Sequence, residues 1–155
     1  MEIIELKEMD NVSENVKLSR LSMQFKELLE QLKQRKLPDK IIDLINQAIE
    51  ELNSTSLMGN DLRRLLQKKQ AKILKLLEKE LKIVPKNHYK NLWLAVGPSV
   101  FGFPTGLAIS SSFANNWVFF LIGIPIGLVI GMSIGLSMDK KAYKEGRQLD
   151  VYIKY

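Results

Sequence analysis

The chain contains no cysteine, which excludes disulfides, thiolate metal sites and cysteine nucleophiles. It has one histidine, His88, with no carboxylate or cysteine beside it. At the edge of an apolar stretch this residue reads as an interfacial side chain rather than a catalytic base or metal ligand. The most informative absence is local. From Asn91 to Met138 there is no Asp, Glu, Lys, Arg or His, although Asp, Glu, Lys and Arg make up 26% of the whole chain. A proton-driven pump or rotor needs an ionisable group at membrane depth, and this stretch supplies none.

What the stretch does contain is two apolar runs, Asn91 to Ser112 and Trp117 to Met138. At about 22 residues and about 1.5 Å rise per residue, each reaches roughly 33 Å, enough to cross a hydrocarbon core. A soluble hairpin of this composition needs a large polar shell to bury it, and a chain of 155 residues does not provide one. Both runs are therefore expected to be transmembrane helices. The opening MEIIELKEMD is acidic and soon polar, unlike a cleaved signal peptide.

Charge sets the expected orientation. Lys79, Lys82, Lys86 and Lys90 precede the first run; Lys140, Lys141, Lys144 and Arg147 follow the second; the linker Phe113-Ala114-Asn115-Asn116 is uncharged. The positive-inside rule puts both ends in the cytoplasm and the linker outside, as in a bacterial inner membrane. Tyr89, Trp93, Phe113, Trp117 and Tyr143 sit where aromatic belts belong. Lys86, Lys90, Lys140, Lys141, Lys144 and Arg147 are expected to meet anionic headgroups. The net charge of +6 gathers at these borders without base-stacking motifs, so no nucleic acid is expected as a partner.

The first 88 residues read as a cytoplasmic helical domain. Leu18, Leu21, Phe25, Leu28 and Leu32 draw one stripe between Ser13, a suitable N-cap, and Lys36. Pro38 is placed to open a second helix carrying Ile41, Ile45, Ala48 and Leu52, which ends in the turn-rich Asn53-Ser54-Thr55-Ser56. A third runs from about Asp61 to Val84 with Leu62, Leu66, Ile73, Leu77, Leu81 and Val84 as its seam, stopping before Pro85. These stripes fit either a small three-helix bundle or coiled-coil contacts with another copy. The ends, EIIEL and LDVYIKY, have short β-compatible patterns; they read either as pairing strands or as frayed tails.

Gly-x-Pro-x-Gly occurs twice, as Gly102 to Gly106 and Gly123 to Gly127. With a four-residue linker the spans are expected to form a hairpin in which Gly102 meets Gly127, Pro104 meets Pro125 and Gly106 meets Gly123. Proline lacks an amide donor, so Pro104 is expected to free the carbonyl of Val100, and Pro125 that of Leu121. Together with Thr105 these are the candidate kink or pore-lining positions. Gly123, Gly127, Gly131 and Gly135 form an every-fourth-residue ridge, faced by Gly102, Gly106 and Ser110. Small residues let helices approach closely in lipid. The ridge is longer than its partner, which leaves Gly131 and Gly135 for another subunit.

The expected fold is all-α: residues 1–88 cytoplasmic, 89–139 a transmembrane helical hairpin, and 140–155 a basic cytoplasmic tail. No phosphate loop, nucleophile triad, metal cluster or carboxylate pair is present at useful spacing, so no catalytic residue, metal or cofactor is expected. The expected function is a non-enzymatic integral membrane protein that oligomerises through its glycine-faced transmembrane helices and presents a cytoplasmic helical scaffold or regulatory domain, open to a protein partner. The alternative is a homo-oligomeric channel gated by those helices.

Overall fold

The computed structural model describes residues 2–7, 16–113 and 117–153. Ser13, the linker residues 114–116 and the end of LDVYIKY lie outside them. The chain divides into two compact units, one formed by Met1–Pro85 with Leu149–Tyr155 and the other by Lys86–Gln148.

The first unit is built on α1 (Val16–Lys33), α2 (Asp39–Asn53) and α3 (Gly59–Leu81). α3 packs on both α1 and α2. The three apolar stripes meet one another: Leu18, Phe25, Leu28, Leu32, Ile45, Leu66, Ile73 and Leu77 belong to one buried cluster. The expected seams are thus filled within one chain as a bundle core. Pro38 stands at the N-cap of α2, one residue earlier than expected, with its carbonyl accepting from Ile41 and Ile42.

α3 ends three residues before the expected Val84. Lys82 takes a left-handed φ of 55°, and its N–H and that of Ile83 return to the Glu78 and Leu77 carbonyls, closing the helix in the manner usually left to glycine. Val84, fully buried, then begins β1 (Val84–Lys86), which pairs with β2 (Gln148–Tyr152). Pro85 is tolerated because a two-stranded sheet has only edges. The chain is mostly helical as expected, with this two-stranded ribbon added, and the residues after 148 do not form a separate tail. Lys140, Lys141 and Lys144 are helical, while Leu149, Val151 and Ile153 alternate into the core of the first unit. Period-two burial over LDVYI was visible in the sequence; its partner strand, only three residues long, was hidden at the end of a helical pattern.

Lys69 of α3 is buried and paired with Glu51 of α2. That hydrogen bond, followed by the lysine's charge, holds the Glu51 carboxyl below its ordinary value. Its contribution is therefore complete at neutral pH and is lost as the pH falls through the lowered value. Removing the carboxylate strands a buried ammonium, whereas removing the ammonium leaves only an exposed carboxylate. In urea unfolding followed by helical circular dichroism, Glu51→Gln is expected to lower the midpoint more than Lys69→Met.

The second unit holds two helices long and apolar enough to cross a membrane: α4 (His88–Ser112), whose most apolar 18 residues have a mean hydropathy of 1.5, and α5 (Trp117–Lys144), where the corresponding value is 2.3. α4 contains one π-helical turn over Pro98–Gly102, where the Phe103 N–H bonds to the Pro98 carbonyl, five residues back. Prolines at 98 and 104 remove the donors that would hold a regular ladder here, and the wider turn absorbs the mismatch. In α5 the corresponding adjustment is a tighter turn at Leu121 and Ile122. The Ile122 N–H bonds to Phe119 and the Ile124 N–H to the Leu121 carbonyl at 3.3 Å. The expectation that Pro125 leaves the Leu121 carbonyl free is therefore corrected: a shortened bond from Ile124 occupies it.

Candidate functional site: a glycine seam and an amide clamp

Seven glycines line the contact between α4 and α5. A Cβ added to Gly127 would lie 2.6 Å from the Gly102 nitrogen and 2.8 Å from the Gly97 carbonyl; one added to Gly97 would lie 2.6 Å from the Gly127 carbonyl. Gly123 meets Gly102 and Gly106, and Gly106 also meets Phe120. Gly131 meets Trp93 and Gly97, and a Cβ on Gly135 would lie 2.6 Å from the Lys90 Cα. Backbone thus touches backbone along the seam, at distances that any side chain forbids. The pairing of Gly102 with Gly127 and of Gly106 with Gly123 follows the expectation.

One expectation fails along the seam. Gly131 and Gly135 are covered by α4 of the same chain, so they are not surplus for another subunit. The ridge of the first span is longer than it looked, because Gly97, hidden beside Pro98, extends it by a turn and a half. The candidate kink or pore-lining residues lie away from this seam. Val100, Pro104, Leu121 and Pro125 are exposed on the outside of the pair and Thr105 is half-buried, while the glycines between them face inward. Ser110 is buried at the far end of the seam.

At the other end sits a group that sequence reasoning missed. Asp139 is 6% exposed; its Oδ1 accepts from the Tyr89 N–H at 3.1 Å and its Oδ2 from the Lys90 N–H at 2.9 Å. These are first-turn donors of α4 that have no partner within their own helix. The residue in the N-cap position, Asn87, has a left-handed φ of 59° and makes no side-chain cap. α5 therefore caps α4, with a carboxylate where the helix dipole favours one. The signal was present: Asp139 is the first charge after the long uncharged stretch and directly precedes Lys140 and Lys141. Asp139→Ala is expected to destabilise the helix pair by about 1–3 kcal/mol, the usual consequence of orphaning buried donors. Asp139→Asn, which keeps one acceptor, should lose less; thermal unfolding in detergent measures both.

Around this end, Trp93 donates its indole N–H to the Met138 sulfur at 3.2 Å and stacks on Phe101, and His88 meets Tyr89 edge to face. Of the headgroup candidates, Lys140, Lys141 and Lys144 are exposed, and Lys86 and Lys90 are half-buried. Arg147 is engaged instead by Glu145, whose carboxylate holds the guanidinium above its ordinary value. At the opposite end Phe113 stacks on Phe119, and Trp117 lies against Phe120.

No family model matches this chain, and neither does any curated protein or solved structure. What the chain can do is therefore argued from geometry. Among the described residues no group of three or more His, Asp or Glu side chains is placed to hold a metal ion.

A second constellation lies in the first unit. Residues 2–7 form no strand, yet Ile3 and Leu6 are buried in its core. The segment is held along α2 by two asparagine side chains. The Ile4 N–H donates to Asn46 Oδ1 at 3.0 Å, and Asn46 Nδ2 donates to the Glu2 carbonyl at 2.9 Å. One step on, the Lys7 N–H donates to Asn53 Oδ1 at 2.9 Å, and Asn53 Nδ2 donates to the Glu5 carbonyl at 3.0 Å. The spacing explains the repeat. Seven helical residues advance about 10.5 Å and return to the same face, and three extended residues advance roughly 9–10 Å. Each amide thus replaces the backbone of a neighbouring strand, and every third side chain, Ile3 and then Leu6, turns inward. Glu5 also pairs with Lys33 at 3.6 Å.

This segment is held weakly for its length. Burying two aliphatic side chains contributes about 3–6 kcal/mol, and four hydrogen bonds about 4 kcal/mol. Ordering six residues opposes them by about 6–12 kcal/mol. Open clefts of about 450 and 270 Å³ flank the segment. The segment sits on the bundle as a ligand sits in a groove, near balance between seated and unseated.

Proposed function

We propose that the chain is a non-enzymatic integral membrane protein in which α4 and α5 cross the bilayer as an antiparallel hairpin. In this reading both ends lie on the cytoplasmic face, where the first unit is displayed as a scaffold or regulatory surface. One observation carries it. The second unit buries what a soluble protein exposes or spreads thinly, its glycines, and exposes Val100, Phe103, Leu107, Val118, Leu121 and Val129. Only 17% of the most apolar stretch of α4 and 22% of that of α5 are buried. In water such an outer surface would be removed by further packing; in lipid it is the solvated face, and small residues belong inside.

The falling register of contacts, from Gly106 with Gly123 to Lys90 with Gly135, supports the antiparallel arrangement. The Asp139 cap supports a shared membrane border for Tyr89, Lys90, Lys140 and Lys141. Because the glycine seam is occupied within the chain, assembly of copies in this reading uses the apolar outer face or the first unit. Anionic headgroups are the proposed partners of the exposed lysines.

The absence of cysteine makes the test clean. Single cysteines placed at Lys40, Lys144 and Phe113 are labelled in sealed vesicles with a membrane-impermeant maleimide. Lys40→Cys and Lys144→Cys are expected to react from the same side and Phe113→Cys from the other. Labelling of Lys40→Cys and Lys144→Cys from opposite sides, or release of the chain by alkaline wash, would overturn the reading.

A further inference from the structure

We propose that the face of α2 bearing Asn46 and Asn53 is a recognition groove for an extended peptide, and that its ligand is the N-terminal segment of a second copy of this chain. The inference concerns the first unit alone and does not rest on the membrane reading. The groove has the parts of a peptide site. Two side-chain amides at helical spacing read backbone, which gives affinity without regard to sequence. Two sockets three residues apart, filled by Ile3 and Leu6, read side chains. Lys33 adds charge preference by pairing with Glu5, and Arg35 lines the cavity beside the segment, so acidic residues before each apolar position are favoured.

Residues 2–7 meet all of these requirements, and a second copy carries the same residues. Exchange between copies replaces every contact with an identical one, so it forfeits nothing in either groove. The near balance between holding and ordering the segment means that seating it in cis is not a commitment, and a neighbouring copy competes on equal chemical terms. Neither amide is needed to build the bundle: both hydrogen-bond the segment rather than their own helix.

The test uses the full chain and its freedom from native thiols. One copy carries Glu5→Cys and a distinguishable tag; the other carries Lys33→Cys. The two are mixed in detergent and treated with a short bismaleimide. A covalent product joining the two tags is expected. Placing Asn46→Ala and Asn53→Ala in the Lys33→Cys copy should reduce it about tenfold or more, since all four backbone contacts in that groove are lost. Excess synthetic peptide with the sequence of residues 2–7 should suppress the product, and a peptide with Asp in place of Ile3 and Leu6 should not. Circular dichroism of each variant shows whether the helices are intact. Should the asparagine variant unfold, the peptide competition decides the matter on an unaltered groove. The proposal is overturned if cysteines at 5 and 33 join only when both are in one chain. It is equally overturned if the mixed product forms but resists both the alanine substitutions and the peptide.

Discussion

Gly127→Ile should split the helix pair of the second unit, lowering its stability in detergent by about 3 kcal/mol or more. Overpacking a core ordinarily costs about 1–3 kcal/mol because side chains move aside. Here nothing can move aside: the first atom of the new side chain already meets the Gly102 nitrogen, the Gly102 Cα and the Gly97 carbonyl, all backbone. The helices must separate along their length, and the dispersion contacts of the seam fall away with distance. Even Gly127→Ala is expected to be damaging, since its Cβ alone occupies the forbidden position. Thermal unfolding followed by helical circular dichroism should show a graded loss from Ala to Ile. An unshifted midpoint for Gly127→Ile would mean that the seam does not hold the pair together. Membrane insertion, in contrast, should be nearly unchanged, because isoleucine is as welcome in lipid as the residues around it.

Val129→Arg reverses that pattern. Val129 lies two residues from both Gly127 and Gly131, on the opposite side of α5, and is 65% exposed. Arginine there adds no atom to the seam but places a charge on the apolar outer face near the middle of the span. If that face meets lipid, insertion should become less favourable by about 2.5–3.5 kcal/mol, visible as a chain recovered in the soluble or aggregated fraction. Thermal stability of whatever protein inserts should change little. If Val129→Arg inserts as well as the parent chain while Gly127→Ile still unfolds it, the outer face is covered by protein or water rather than lipid. The two substitutions, two residues apart, thus test separate statements: what the inner face is for and what the outer face touches.

Much of the first unit was legible because helical periodicity is a local property. Leu18 to Leu32 and Ile41 to Leu52 repeat every three or four residues, Leu62 to Leu77 keep the same face with one gap of seven, and each stripe ended in the common core. The misreadings cluster where a local signal had more than one tertiary outcome. Val84 continued the rhythm of α3, but a left-handed Lys82 ended the helix and handed Val84 to a strand. EIIEL is apolar and β-compatible enough to suggest a strand, yet its hydrogen bonds go to Asn46 and Asn53, side chains in a helix some forty residues away. An asparagine on an amphipathic helix carries no mark that it will act as a surrogate strand. Asp139 was likewise legible as an oddity but not as a cap, because its partners are 49 and 50 residues distant.

By itself the sequence determined that this protein has two chemically different halves. The uncharged interval 91–138 and the basic residues at its ends follow from composition alone, since transfer of charge into hydrocarbon is unfavourable whatever the packing. It also determined the helical repeats, because burial of one face of a helix imposes its period directly. Only the tertiary structure decided where the small residues are used: Gly131 and Gly135 meet Trp93, Gly97 and Lys90 of the same chain. Likewise, only the fold decided that residues 2–7 and 149–153 join the first unit. The reason is common to both. A missing side chain, or a free backbone amide, specifies close approach but not the identity of what approaches, and that identity is fixed when distant segments are brought together.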